Sequence, residues 1–468
     1  LGPLIFLLIL WLGDYVGISL PARNTLAISL WVAVWWIAEP VPIPVTSLLP
    51  LILFPLFGVM DVRTVALAFG NEMIFLYMGG FIIALAIEKT GLHRRIAHSI
   101  LSVTGTGKPQ LLLGFMLSSA LLSMWISNTA TALLMLPIGL AVIKSSSNNS
   151  QVFGKILMFS IAYSCSVGGI ATLIGTPTNL ILSGVLEQLY NYKISFYSWL
   201  NIGLPVSIAM FIALYVYLLI LLKAKENDQS EEEILSLESI GKISRDEMKV
   251  LTVFLLVVLL WIVNGFIIRP YIPAVSDMTI ALTGAVLLFL IPSSANKNQA
   301  LMDWNTAEKL PWGVLLLFGG GLVIAEAFKV SGLAAWIGEK LSILNFLPLF
   351  AVLLIVVFFI NFMTELTSNV ATAAMILPVL GSMAMSMNVH PFLLMVGAVI
   401  AASCAFMLPV ATPPNAVVFS AGYFTIKEMA IVGLVLNVIS VLVISFFVYY
   451  LMPQILEINP FAFPENFK

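Results

Sequence analysis

Long apolar runs with few charges recur along this chain, and they limit the folds open to it. Three of the longest are Ile202–Leu222, Val250–Ile268 and Met429–Leu451. Each is close to the roughly 20 apolar residues that cross a hydrocarbon core of about 30 Å. Of all residues, 60% are hydrophobic and 9% are charged, whereas about a quarter are charged in soluble domains. The chain is therefore predicted to be an all-α polytopic membrane protein.

Composition also argues against several other classes of protein. The net charge of −2 gives no basis for a nucleic-acid partner. The two cysteines, Cys165 and Cys404, lie in apolar helical sequence and are interpreted as small buried residues rather than a disulfide. The three histidines lack the spacing of metal ligands, and no nucleophile and base are paired as in an enzyme. The expected location is the inner membrane of a bacterium.

Charged residues, prolines and glycines divide the apolar sequence into about 11 predicted transmembrane spans. These spans lie near residues 2–13, 25–38, 44–58, 74–92, 158–186, 200–222, 250–268, 278–291, 312–330, 392–419 and 429–451. Two other apolar pieces are each split into short halves by a polar triplet. They are predicted to be re-entrant helical hairpins over 109–146 and 345–386, with the triplet at the tip.

Two pairs of similar segments show that the chain contains a repeat. SNTATALLMLP begins at Ser127 and SNVATAAMILP begins at Ser368, an offset of 241 positions. LYMGGFIIALAIEKTGL from Leu76 aligns without a gap to LFGGGLVIAEAFKVSGL from Leu317 at the same offset of 241. A constant offset over separated blocks indicates two structural repeats. An odd number of predicted crossings separates them, so the second repeat is predicted to be inverted.

The repeats define the predicted domain organisation. It comprises an N-terminal helix and lead-in over 1–34, a first repeat over 35–222, a charged linker over 223–249, a second repeat over 250–452 and a tail over 453–468. Placing the linker in the cytoplasm puts most lysines and arginines, among them Arg94, Arg95 and Lys309, on that side, in agreement with the positive-inside rule. The linker itself is predicted to be a solvated amphipathic helix at the membrane surface.

The polar triplets precede helix-forming sequence, so two interpretations of them stay open. Serine and asparagine are preferred N-caps, and capping a broken helix would by itself explain one such motif. Two inverted copies at two hairpin tips favour a binding site instead. A second pair of motifs, TPTN from Thr176 and TPPN from Thr412, supports the site. Their prolines interrupt the helical hydrogen bonds, and unwound backbone at membrane depth is tolerated where it lines a cavity.

These groups suit a site that holds a cation and an anion together. Carbonyl, hydroxyl and amide oxygens are hard neutral ligands for a small cation such as Na⁺. Helix N-termini offer N–H groups and partial positive charge to an anion. Neither triplet and neither Thr-Pro motif contains lysine or arginine, so bound cations would supply the positive charge that the anion needs.

The motifs together resemble the divalent anion:sodium symporter family. The resemblance rests on the SNT and SNV tips, the GTPTN and ATPPN breaks and WWIAEPVPIPVTSLLP at Trp35 to Pro50, and it covers nearly the whole chain. It implies a homodimer in which a transport domain slides against a scaffold domain in an elevator motion. It also implies the cargo, which is Na⁺ with a di- or tricarboxylate such as succinate, malate, fumarate or citrate.

The resemblance further implies roles for individual positions. One Na⁺ is expected at Ser123, Ser127, Asn128 and Gly175, and a second at Thr364, Thr367, Asn369 and Ala411. The substrate side comprises Asn128, Thr129, Ser368, Asn369, Val370, Thr412 and Pro413. Val370 departs from the Ser-Asn-Thr pattern and removes one hydroxyl, which leaves the preferred carboxylate open.

The expected function is Na⁺-coupled symport of C4-dicarboxylates. A Na⁺-independent dicarboxylate exchanger and a citrate-preferring carrier of the same fold are the alternatives. Glu365 lies close to the second tip, and an ionisable residue near membrane depth raises the question of proton coupling. A structural hydrogen bond is the other interpretation of Glu365.

Overall fold

The computed structural model describes residues 1–12, 17–145, 151–225, 241–296, 299–341 and 346–467. Within these ranges the secondary structure is helical, apart from one isolated β-bridge between Pro292 and Ala300. Seven of the described helices are long and apolar enough to cross a membrane, and further apolar helices are shorter. The all-α membrane fold is therefore confirmed, while the number of spans stays a prediction. The central part of the predicted linker helix, 226–240, lies outside the described residues.

The described residues of the first half of the chain form twelve helices. They are α1 (Gly2–Leu12), α2 (Leu20–Ala38), α3 (Ile43–Thr46), α4 (Leu49–Leu56), α5 (Val62–Ala68), α6 (Glu72–Thr90), α7 (Leu92–Thr104), α8 (Lys108–Ser123), α9 (Asn128–Ser145), α10 (Gln151–Ile170), α11 (Pro177–Tyr190) and α12 (Phe196–Lys225). Local chemistry sets several of these ends. Asn71 caps α6 by accepting from the Met73 N–H, and Gly91 ends that helix at φ 80°, which favours glycine.

Twelve further helices are found in the described part of the second half. They are α13 (Arg245–Val263), α14 (Arg269–Tyr271), α15 (Asp277–Leu290), α16 (Trp304–Ala307), α17 (Trp312–Val330), α18 (Leu333–Leu341), α19 (Leu349–Met363), α20 (Asn369–Ser386), α21 (Pro391–Ala402), α22 (Pro413–Phe419), α23 (Ile426–Phe446) and α24 (Met452–Ile455). π-Helical turns over Asn264–Ile268 and Phe447–Leu451 and a 3₁₀ turn over Glu465–Phe467 complete them. Ser244 with Glu247, and Thr425 with Glu428, form capping boxes that start α13 and α23.

The two predicted hairpins have matching surroundings. α8 and α9 follow each other through a short tip, and both pack against α10. In the second repeat α19 and α20 are joined in the same way, and both pack against α21. Each hairpin therefore rests on a helix that ends in the middle of its own predicted span.

Those spans, predicted over 158–186 and 392–419, are discontinuous as the prolines indicated. The first is α10 followed by α11, with non-helical residues 171–176 between them. The second is α21 followed by α22, with a longer non-helical segment over 403–412. Pro177 and Pro413 are the first residues of α11 and α22, where the missing N–H costs no helical hydrogen bond.

The predicted domain limits do not coincide with helix ends. The limits at 34, 222 and 249 fall inside α2, α12 and α13. The helices α12 and α13 are longer than their apolar runs, because the flanking polar residues 223–225 and 245–249 continue the helical hydrogen bonding. The division into scaffold and transport domains stays a prediction.

Candidate functional site

Both hairpin tips and both helix breaks line one cavity of about 730 Å³. Its walls include every residue predicted for the substrate side: Asn128, Thr129, Ser368, Asn369, Val370, Thr412 and Pro413. Four further predicted Na⁺ ligands, Ser127, Gly175, Thr367 and Ala411, also line it. The last two, Ser123 and Thr364, are fully buried and contact the two tip asparagines. The fold therefore gathers all the predicted site residues, from both halves of the chain, at one place.

At the first tip, three oxygen atoms share a single hydroxyl proton. Ser123 Oγ lies 2.5 Å from Asn128 Oδ1 and 2.8 Å from the carbonyl oxygen of Cys165. A serine hydroxyl has one proton, so it donates to one of these acceptors at a time. A cluster of oxygen atoms with too few protons is chemically suited to a small cation.

The second tip repeats this arrangement with a threonine. Thr364 Oγ1 lies 2.6 Å from Asn369 Oδ1 and 3.0 Å from the carbonyl oxygen of Ala402. Thr364 and Asn369 stand 241 positions after Ser123 and Asn128. The two tips thus offer equivalent sets of neutral oxygen atoms, built independently by the two repeats.

Glycine is required where the first tip meets the first helix break. A Cβ atom on Gly169 would lie 2.7 Å from Asn128 Oδ1, and one on Gly175 would lie 2.5 Å from the Gly169 carbonyl oxygen. Real side chains do not tolerate contacts this short. The absence of side chains at both positions lets the backbone carbonyls and the asparagine amide lie side by side.

Two asparagines of the Thr-Pro motifs keep the breaks in shape. Asn179 Nδ2 donates to the carbonyl oxygen of Thr172 at 2.8 Å, and Asn415 Nδ2 donates to those of Ala405 and Leu408 at 3.1 and 3.0 Å. Both side chains are fully buried. The sequence placed these asparagines in the motifs without indicating a role, because the acceptors are recognisable only once the helix has unwound.

The capping interpretation of the tip serines holds at one tip and fails at the other. Ser127 Oγ accepts a hydrogen bond from the Ala130 N–H at 3.2 Å, as an N-cap does. Ser368 is the N-cap residue of α20 and forms no side-chain capping bond. At the second tip, capping therefore does not explain the serine.

The cavity is also lined by apolar residues of α6 and by three charged residues. Tyr77, Phe81 and Leu85 of α6 line it, and so do the exposed side chains of Glu39, Glu88 and Lys309. Among the described residues that line the cavity, Lys309 is the one lysine or arginine, and no carboxylate pairs with it within the described ranges. These charges are distant from both motifs in the chain, so their presence at the site is not predictable from the sequence.

Glu365 is buried behind the second tip and does not line the cavity. Its carboxylate accepts hydrogen bonds from the N–H groups of Phe406, Met407 and Leu408 at 2.7, 2.9 and 3.1 Å, and from Asn437 Nδ2 at 2.8 Å. Every partner is a donor, so the carboxylate needs no proton of its own. These contacts favour the structural interpretation of Glu365 over proton coupling.

Comparison with known proteins gives the chain both relatives and a known fold. Residues 3–455 match the family model described as the sodium:sulfate symporter transmembrane region. The sodium-dependent dicarboxylate transporter SdcS of Staphylococcus saprophyticus is 43% identical, covering 98% of this chain and 92% of the relative. SdcS of Staphylococcus aureus (strain USA300) is 42% identical, covering 98% of this chain and 91% of the relative.

Two solved structures share the fold. The YdaH transporter of Alcanivorax borkumensis aligns with a TM-score of 0.60 at 15% identity, over 83% of this chain and 88% of its own. MtrF of Neisseria gonorrhoeae aligns with a TM-score of 0.61 at 12% identity, over 97% of this chain and 98% of its own. At these identities the likeness concerns the fold alone.

Proposed function

The chain belongs to the sodium:sulfate symporter family, which confirms the resemblance to divalent anion:sodium symporters, and we propose that it couples Na⁺ entry to the transport of dicarboxylates. Membership makes it a multi-pass transporter of a bacterial inner membrane, and not an enzyme. Its relatives at 43% and 42% identity carry the name of sodium-dependent dicarboxylate transporters. That name supports both the ion and the class of substrate.

One observation carries the proposal: the two oxygen clusters lie at the wall of a single cavity. Ser123 with Asn128, and Thr364 with Asn369, each form such a cluster. Na⁺ is a hard cation that takes oxygen ligands, and the clusters have more acceptors than protons. We assign one Na⁺ to each, with the ligands expected from the sequence: Ser123, Ser127, Asn128 and Gly175 for the first, and Thr364, Thr367, Asn369 and Ala411 for the second.

The substrate carboxylates lie between these cations in our proposal. The amide and hydroxyl groups come from Asn128, Thr129, Ser368, Asn369 and Thr412. The helices α9 and α20 begin at the cavity and present N–H groups to an anion. No lysine or arginine belongs to the tips or breaks. The dianion therefore binds weakly until Na⁺ is present, and this dependence is the coupling.

We propose C4-dicarboxylates, such as succinate, malate and fumarate, as the preferred substrates. Val370 lines the cavity where a threonine would add a hydroxyl. A tricarboxylate such as citrate has an additional carboxylate to satisfy, and the missing hydroxyl removes a donor for it. Val370 thereby disfavours the larger anion.

An elevator motion accounts for how the site reaches both sides of the membrane. The assigned ligands all belong to the tips and breaks, whereas α6 lines the cavity with Tyr77, Phe81 and Leu85 and supplies none of them. A wall of this kind lets the site-bearing part slide without losing its own ligands. Lys309 lies on the side predicted to be cytoplasmic and lines the cavity together with Glu39 and Glu88, so we interpret the cavity as open inward.

Reconstitution into liposomes tests the proposal. Labelled succinate is supplied outside with an inward gradient of Na⁺ or of K⁺, with or without unlabelled dicarboxylate inside. We expect uptake with Na⁺ alone, in the absence of internal substrate. Labelled citrate, measured in parallel, is expected to be taken up more slowly than succinate.

Two results would contradict the proposal in different ways. Uptake that needs internal dicarboxylate and ignores Na⁺ would make the protein an exchanger. Failure to take up any carboxylate in sealed liposomes that contain correctly folded protein would contradict transport of this substrate class. The homodimer that the resemblance implies is tested separately, by the mass of the purified protein in detergent.

A further inference from the structure

The two proposed Na⁺ sites match in their neutral ligands but differ in the residue that follows the ligand hydroxyl in the chain. Glu365 follows Thr364 in the second repeat, and the residue 241 positions earlier is Met124. Glu365 is 3% exposed. Among the described residues its carboxylate has no cationic partner. The second site therefore has a buried negative charge beside it, and the first site has none at this position.

The longer helix break of the second repeat explains why a carboxylate is found there. α21 ends at Ala402, whereas α10 continues to Ile170, which corresponds to position 406 at the offset of 236 between the Thr-Pro motifs. Earlier unwinding releases the backbone N–H groups of Phe406, Met407 and Leu408, and Glu365 accepts all three. In the first repeat, Thr172 instead donates its hydroxyl to the carbonyl oxygen of Met124.

The hydrogen bonds to Glu365 distribute its charge without removing it. Three backbone amides and one side-chain amide are neutral dipoles, so the group as a whole stays negative. Electrostatic attraction between unit charges is much stronger in a protein interior than in water. A cation held at Thr364 and Asn369 is attracted by Glu365, whereas a cation at Ser123 and Asn128 has no such neighbour in the first repeat.

We propose that Glu365 makes the second Na⁺ site the tighter of the two, so that Na⁺ fills the second tip before the first. This inference rests on the proposed function, since it concerns the same two sites. Filling the second site first offsets the buried charge of Glu365. The remaining Na⁺ and the dianion then bind to a protein whose second tip is already ordered. Glu365 acts here as a positioning and electrostatic residue, and it does not touch the cargo.

Binding of Na⁺ alone tests the order of filling. Purified full-length protein in detergent is titrated with NaCl at constant ionic strength, balanced with choline chloride, and intrinsic tryptophan fluorescence and thermal stability are recorded. We expect two phases. Thr364→Val should remove the tight phase and Ser123→Ala should remove the weak one. The opposite assignment, or the same single phase in both variants, would overturn the inference.

Glu365 itself is tested by a pair of substitutions that separate charge from hydrogen bonding. Glu365→Gln removes the charge, and it should move the tight phase to roughly tenfold higher Na⁺ while the weak phase stays in place. Glu365→Asp keeps the charge and should retain a tight phase at lower Na⁺ than Glu365→Gln. If Glu365 has only a structural role, both variants should lose thermal stability while both phases stay at the Na⁺ concentrations of the wild type. That result would overturn the inference.

Met124→Gln is the matched control, because it introduces the same amide at the equivalent position of the first repeat without changing charge. It should leave the tight phase unaltered. If the wild-type protein binds no Na⁺ and takes up no carboxylate, the proposed function fails. If it binds and transports while Glu365→Gln titrates like the wild type, only the present inference fails.

Discussion

The hydroxyl oxygens of Thr178 and Ser403 lie 2.9 Å apart, at a buried contact between the two discontinuous helices. Nearby, the Tyr163 hydroxyl donates to the carbonyl oxygen of Phe406 at 2.8 Å. Both hydrogen bonds join the first repeat to the helix break of the second repeat, where Ser403 and Phe406 lie. The two halves of the proposed site are therefore held together as one unit, which simultaneous binding of cation and anion requires.

Tyr163→Phe should loosen this unit. Tyr163 is fully buried, and the variant leaves the Phe406 carbonyl without that donor, at a cost of about 1–3 kcal/mol. We expect a lower melting temperature in detergent, measured by the fluorescence of the purified protein. Tyr192→Phe serves as the control, because its hydroxyl has no hydrogen bond within the described residues. Equal melting temperatures for the two variants would argue that the contact between repeats contributes no stability.

Asn128→Ala and Asn369→Ala should each abolish Na⁺-driven succinate uptake. Each substitution removes an amide oxygen that accepts from the hydroxyl behind it and lines the cavity. Both positions are helix N-termini, where truncation is tolerated by the fold, so elution in size-exclusion chromatography should stay normal. Asn305→Ala, an exposed asparagine of α16, is the control and should transport normally. Normal uptake by either tip variant would remove that asparagine from the site.

Lys309→Gln should weaken binding of the dianion when it enters the cavity from the side of the membrane on which Lys309 lies. It removes the one lysine or arginine among the described residues that line the cavity. We expect a several-fold higher KM for succinate on that side with little change in kcat, and a smaller difference at high salt, because exposed charges are screened. Inside-out and right-side-out vesicles separate the two sides.

The control for Lys309 is Lys242→Gln, which removes an exposed lysine that does not line the cavity. Its KM should equal that of the wild type. A KM change for Lys309→Gln that is equal on both sides, or insensitive to salt, would contradict an electrostatic role at the mouth of the cavity.

A cross-link between the two walls should stop transport if the site moves as an elevator. Gly80 of α6 and Ile174 of the first helix break are in contact, since a Cβ on Gly80 would lie 3.4 Å from Ile174 Cδ1. The double variant Gly80→Cys with Ile174→Cys should lose uptake on addition of a mercuric reagent and regain it on addition of a thiol. Each single variant controls for reaction with the native cysteines, both of which are buried.

A second pair of cysteines distinguishes sliding from general damage. Gly139 of α9 and Ile161 of α10 are also in contact, with a Cβ on Gly139 lying 3.1 Å from Ile161 Cδ1. Both lie on the site-bearing side, so their cross-link should leave uptake nearly intact. Transport that continues with Gly80 and Ile174 fully cross-linked would contradict the elevator motion.

The protein should lose stability on acidification partly through His390. Burial lowers the pKa of His390 from 6.5 to about 4, so below pH 6.5 the unfolded chain binds a proton that the folded protein does not. Titration of His390 therefore leaves the free energy of unfolding unchanged above pH 6.5 and lowers it as the pH falls toward 4. The loss reaches about 2 kcal/mol at pH 5.

Melting temperatures between pH 7 and pH 5 check this expectation. His390 Nδ1 accepts a hydrogen bond from the Phe392 N–H. The variant His390→Asn keeps an acceptor at this N-cap position and removes the imidazole that titrates. The variant should lose less stability than the wild type over this range. Burial also lowers the pKa of His93, so some acid sensitivity should persist. Identical slopes for both proteins would show that His390 does not contribute.

The sequence by itself determined which segments are helical and where the helices must break. Apolar length predicted membrane helices, since backbone groups in a hydrocarbon layer must pair within their own segment. The offset of 241 between Ser127 and Ser368 revealed the repeat, and the Thr-Pro motifs located the interruptions. These features are local, so propensity, periodicity and spacing were sufficient to find them.

Only the tertiary structure decided which groups meet. The shared proton of Ser123 and Asn128, the glycine contact at Gly169 and the arrival of Lys309 at the cavity depend on how distant segments pack. The role of Glu365 was also undecided until the N–H groups of the second break were seen to reach it. A carboxylate in an apolar sequence looks the same whether it exchanges a proton or accepts hydrogen bonds, because the difference lies in its neighbours, which the fold brings together from elsewhere in the chain.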